Sequence, residues 1–189
     1  MKAHLLIGVA AAMTLGACNN AADDTAPAGQ DTAAMVVATP TETATPMANG
    51  PQALVDAAAS SDMYEMQAAE MASQNGKSQA VKDFAAMMMK DHATSTAALK
   101  DAAAKAQPML TMPAMMTPAH QAMLDELRTA GADFDTVYAR QQVTAHEQAL
   151  ALLRGYAGTG TDDPLAKFAA TTAPVVDGHL TKARALPAG

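Results

Sequence analysis

Ser78-Gln79-Ala80-Val81-Lys82-Asp83-Phe84-Ala85-Ala86-Met87-Met88-Met89-Lys90-Asp91-His92 is the stretch whose reading decides the fold. Val81, Phe84, Ala85 and Met88 recur at intervals of three and four residues, and Leu99 continues the same stripe. That is the period of an amphipathic helix with one buried face. Ser78 stands where an N-cap belongs, while Pro108 and Pro113 end the pattern, so a helix is predicted from Ser78 to about Ala106. His92 falls four residues beyond Met88 on the same stripe, which sets an imidazole among apolar side chains.

Upstream, helix formers run from about Gln52 to Asn75, where Asn75-Gly76 is a stop signal; Ser60-Ser61 is a possible break within that run. Downstream, a Met-rich loop leads to a short helix with Thr117 as N-cap, Pro118 at its first position and Gly131 closing it. A third long helix begins at Asp133 and lines up Phe134, Val137, Tyr138, Gln141, Ala145, Ala149 and Leu152. Gly155 to Gly160 reads as a turn, since no strand precedes it to make a phosphate loop. Asp163 and Pro164 open the fourth long helix, whose apolar side carries Leu165, Phe168, Thr172, Val176, Ala183 and Leu186; Pro174 inside it predicts a kink near Thr171. No stretch alternates with period two. The expectation is an all-α chain: a ferritin-like four-helix bundle with one long crossover that holds a short extra helix. With aromatics at only 3%, the helices must pack closely through alanine.

The beginning of the chain has a different character. Lys2 and the apolar run Leu5 to Leu15 read as a signal segment over residues 1–17, too short to span a bilayer of roughly 30 Å. Leu15-Gly16-Ala17-Cys18 resembles the lipobox of bacterial lipoproteins and makes Cys18 the expected lipidated residue. Cys18 is the only cysteine, so no internal disulfide is available. Asn19, in place of an aspartate, favours sorting to the outer membrane, with the chain facing the periplasm. Residues 18–50 are Ala-, Thr-, Pro- and Asp-rich with no Lys or Arg, too polar to offset the entropy of ordering. They read as a tether of about 30 Å root-mean-square span, leaving residues 51–189 as the folded domain. The formal charge is −7, and one unit more negative without the signal segment. So acidic a chain, lacking any basic cluster, is not built for nucleic acid or an anionic membrane surface; acyl chains on Cys18 supply the membrane contact, and the sequence names no protein partner.

Each long helix places one metal-capable side chain inward near mid-length: Glu65, His92, His146 and His179. Counted from the turns, Glu65 and His92 differ in depth by roughly 6 Å, and His146 and His179 by roughly 7 Å. Three imidazoles and a carboxylate suit Zn²⁺, Fe²⁺, Mn²⁺ or Cu²⁺; the alternative is a buried hydrogen-bonded network that specifies the fold. The Glu-x-x-His pairs of di-iron bundles are absent, because Met89, Val143 and Val176 precede the three histidines at that spacing. The chain has 15 methionines. Met109, Met112, Met115 and Met116 in the crossover are a second candidate set, for Cu(I), whereas Met87 to Met89 are consecutive on a helix and cannot face one ion. Tyr64, Tyr138 and Tyr156 are expected at the edge of the core, and His120 and Asp135 at the surface or in caps. No nucleophile–base pair is evident, so the expected role is binding or structural rather than enzymatic.

Phe84-Ala85-Ala86-Met87 with Asp91-His92, Phe134-Asp135 with Tyr138, Gln142-Val143 with His146, and Pro174 with His179-Leu180 resemble an exported bacterial family, the domain of unknown function four-one-four-two. The likeness spans about Leu54 to Leu186. It implies a bundle of the ferritin-like superfamily and an extracytoplasmic, outer-membrane setting, and it implies no activity.

Overall fold

The computed structural model describes residues 50–159 and 163–187. The expected signal segment, Cys18 with its lipid, and the tether up to residue 49 lie outside the described residues. Among the described residues there are five helices: α1 (Pro51–Asn75), α2 (Gln79–Lys105), α3 (Pro118–Thr129), α4 (Phe134–Ala157) and α5 (Pro164–Ala183). A single 3-10 turn, Gly131–Asp133, joins α3 to α4, and no strand occurs among the described residues. Side-chain caps set three of the starts. Ser78 accepts from the Val81 N–H, Thr117 from that of His120 and Asp163 from that of Leu165, each satisfying a first-turn donor with no partner inside its helix.

Two local expectations change. α1 runs unbroken through Ser60-Ser61, where the buried Ser60 hydroxyl accepts the Thr117 N–H at 2.8 Å. In α5, Pro174 lies inside the helix on its exposed side. Gly76 ends α1 with φ −59 rather than in the left-handed region. Its hydrogen is needed for space: a Cβ there would lie 2.5 Å from the Ala72 carbonyl oxygen and 2.9 Å from Val81 Cγ1. Gly131, at φ +52, is the glycine that takes the left-handed conformation.

Contacts at both ends of the helices fix the topology. α1 and α2 form an antiparallel hairpin, as do α4 and α5. The crossover starts beside the beginning of α1, where Gln52 bonds the Thr111 backbone. It passes the middle of α1 at Ser60–Thr117 and ends beside the α1–α2 turn, where Asp135 accepts the Lys77 and Ser78 N–H groups. It therefore climbs the whole length of α1 and delivers α4 parallel to α2, a four-helix arrangement with a single long crossover.

The apolar interior falls into two clusters. One gathers Leu54, Val55, Leu99, Leu150, Leu165 and Phe168; the other gathers Val81, Phe84, Met88, Leu127, Phe134 and Tyr138. Asp62, His92 and His146 fall in sequence where their helices pass from one cluster to the other, Glu65 and Gln142 lie among members of the second and His179 among members of the first, and Val143 packs on both. No helix of the described residues is long and apolar enough to cross a membrane.

Candidate metal centre

Helical spacing alone carries the three histidines inward, one each from α2, α4 and α5, and all are buried. One ring nitrogen of each lies within 4.8 Å of those of the other two. The ring centroids form a nearly equilateral triangle, with sides of 5.9 Å (His92–His146), 5.8 Å (His92–His179) and 5.5 Å (His146–His179).

Each ring is held from behind. His92 Nδ1 bonds Asp62 Oδ1 at 2.8 Å, and Thr96 donates to the other Asp62 oxygen at 3.0 Å. His146 Nδ1 bonds the Gln142 carbonyl at 2.8 Å, and His179 Nε2 bonds Asp91 Oδ2 at 3.0 Å. A carbonyl or carboxylate oxygen only accepts, so the anchored nitrogen carries the hydrogen and the opposite nitrogen of a neutral ring keeps its lone pair. Those opposite atoms, His92 Nε2, His146 Nε2 and His179 Nδ1, are buried without a hydrogen-bond partner. Partnerless buried polar atoms are costly; anchored imidazoles with free inner nitrogens are how proteins orient metal ligands. A tetrahedral ion at about 2.0 Å from each nitrogen needs N···N separations of about 3.3 Å, and one nitrogen of each ring already lies within 4.8 Å of the others'. The residues fit a transition-metal ion.

The three rings differ in charge. Burial pushes His146 down to about 3, so it is neutral. Burial also lowers His179, helped by His92 and Lys182 and opposed by Asp91. For His92 burial acts in the same direction, but the Asp62 hydrogen bond and the Glu65 and Asp91 carboxylates outweigh it and hold the ring above its ordinary value.

Glu65 stands outside the three-histidine group. Its Oε1 is 3.7 Å from His146 Nδ1, the nitrogen already bonded to Gln142, so the carboxyl lies on the anchored side of that ring. Both its oxygens are buried and unpartnered, and burial pushes the group up to about 7. Of the crossover methionines, Met112 packs on the first apolar cluster and Met116 on the second, while Met109 and Met115 are exposed. Tyr64 and Tyr138, expected at the core edge, are wholly buried. His120 is half-buried, stacked on Tyr64 and 2.6 Å from the Ser60 hydroxyl. Asp62 and Asp91, the carboxylates behind two of the rings, were not foreseen from the sequence. The available signal was that Asp62 precedes Glu65 by three residues and so shares its helix face.

A solved structure described as CopM in the Cu(II)-bound form superposes with a TM-score of 0.61 at 19% identity, covering 71% of this chain and 93% of that one. At that identity the likeness speaks to the fold. No curated protein matches the sequence. The family profile described as "Domain of unknown function (DUF4142)" matches residues 36–186, across all four long helices and the three histidines they bring together, and the chain belongs to that family.

Proposed function

We propose that the domain is a metal-binding module holding one transition-metal ion through His92 Nε2, His146 Nε2 and His179 Nδ1, with Cu(II) the preferred ion. The observation that carries this reading is a group of three buried histidines, with one ring nitrogen of each within 4.8 Å of the others', in which every ring has one anchored and one partnerless nitrogen. Imidazole is a good ligand for copper and zinc, and among divalent first-row ions Cu(II) binds most tightly to a given nitrogen site. A protein of the same fold has been solved with Cu(II) bound. A resident ion would supply Lewis acidity and, for copper, one-electron redox chemistry; the chain's own contribution is to orient the rings and exclude water. Glu65 serves as a buried carboxyl beside the centre rather than as one of the inner donors.

The test is elemental analysis of the chain purified without chelators or affinity tag, followed by titration with Zn²⁺, Fe²⁺, Mn²⁺, Cu²⁺ and Cu⁺. Near-stoichiometric Cu(II), lost in His92→Gln with helicity unchanged, is the expected result. A second reading is a scaffold whose polar layer only specifies the fold, and the two-part core favours it. In that case His92→Gln changes stability and there is no metal to lose.

The module is placed on the outer membrane, facing the periplasm, by acylation of Cys18. Palmitate labelling of the chain in a bacterial host should mark the wild type and not Cys18→Ser, which should appear in the soluble envelope fraction. Equal labelling of both would remove the anchor from this account.

A further inference from the structure

We infer that a metal ion reaches the three histidines through the seam between α2 and α5, with Asp91 as the carboxylate that receives it. This rests on the metal-binding reading above. The polar groups around the histidines on α1 and α4, Asp62, Glu65, Gln142 and His146, are all buried. The Asp62 side chain behind His92 is 6% exposed, whereas that of Asp91 behind His179 is 33% exposed. Asp91 therefore touches solvent with one face and the His179 ring with the other.

A cation stands beside this opening. Lys182 follows His179 by three residues on α5 and crosses the seam, its Nζ donating to Met87 Sδ of α2 at 3.0 Å. It is close enough to push the His179 pKa down. An arriving dication is drawn by the Asp91 carboxylate and repelled by the Lys182 ammonium, so the seam sets the rate of loading. The Met87 thioether beneath the ammonium is a soft donor on the same path.

The experiment is stopped-flow association of the full chain with Cu(II) supplied as a weak glycine complex, followed by quenching of tyrosine emission, since the chain has no tryptophan. Lys182→Gln should speed association about two- to fourfold at low ionic strength, and the gain should vanish in roughly 1 M salt. Lys105→Gln, the same charge change at the far end of α2, should leave the rate unaltered. Asp91→Asn should slow association. Asp62→Asn should weaken binding about 10–100-fold through faster dissociation alone. Equal rates for Lys182→Gln and Lys105→Gln, or an Asp91→Asn effect confined to dissociation, would overturn the route while leaving the site. A wild-type chain that takes up no Cu(II) at equilibrium would overturn the site itself, and the route with it.

Discussion

Glu65 is buried among groups that give its oxygens no hydrogen bond, and the cost of that burial appears as a carboxyl that prefers to stay protonated. Its folded pKa, about 7, lies above the ordinary 4.5. The folded state thus binds the proton more tightly, and its stability falls as pH rises from 4.5 through 7, by on the order of 3 kcal/mol. Glu65→Gln keeps the shape and removes the titration. Urea denaturation of the metal-free chain at pH 5 and pH 8.5 should show the variant gaining on the wild type by about that amount between the two. His146 works on the other limb: held at about 3, it is protonated more readily when unfolded, so stability is lost as pH falls from 6.5 toward 3. The buried histidines were legible in the sequence because each interrupts an apolar stripe. Asp62 and Asp91 were not, because a carboxylate on a helix flank has the same pattern whether it meets water or an imidazole from another helix. Nor could depth counted in residues show that Glu65 faces the back of the His146 ring.

The joints between helices depend on single residues. Asp135, in the first turn of α4, accepts the backbone N–H groups of Lys77 and Ser78 at 2.9 and 2.8 Å, and so caps a helix other than its own. Those bonds hold its pKa below the usual carboxylate value against the opposing effect of burial. Asp135→Ala removes the acceptor of the two N–H groups that lead into α2 and should cost about 1–2 kcal/mol in thermal or urea unfolding. Gly76→Ala should cost about 1–3 kcal/mol, since its methyl group would press on the Ala72 carbonyl and Val81. The same residues show what the sequence does and does not disclose about elements. Ser78, Thr117, Asp163 and the prolines marked the helix starts closely, because capping is chemistry between near neighbours. Ser60 misled as a break because the hydroxyl that would loosen α1 is taken by Thr117, 57 residues away, and no local window contains that partner. Gly76 stopped the helix where expected, but for lack of room rather than for its backbone angle.

At the scale of the molecule, the one-crossover topology followed from turn lengths and was legible. The division of the interior was not, because stripes read helix by helix give one continuous face each. Only assembled do the apolar residues sort into two clusters, with Asp62, His92 and His146 where the helices pass from one to the other and Val143 packed on both. Each cluster is packed chiefly within itself. The metal-free bundle should therefore exchange its amide hydrogens as two cooperative units, the half around Leu54, Leu99 and Phe168 opening separately from the half around Val81, Phe84 and Tyr138. An ion bridging α2, α4 and α5 at the seam between the halves ties their fates together. At one hundred times its dissociation constant it adds about 2.7 kcal/mol, and hydrogen exchange in its presence should collapse to one opening for the whole bundle. Identical exchange profiles with and without Cu(II) would show that the halves were never independent. A bundle with that behaviour would couple uptake of one ion to the unity of its fold, and limited proteolysis should cleave the emptied form faster than the loaded one.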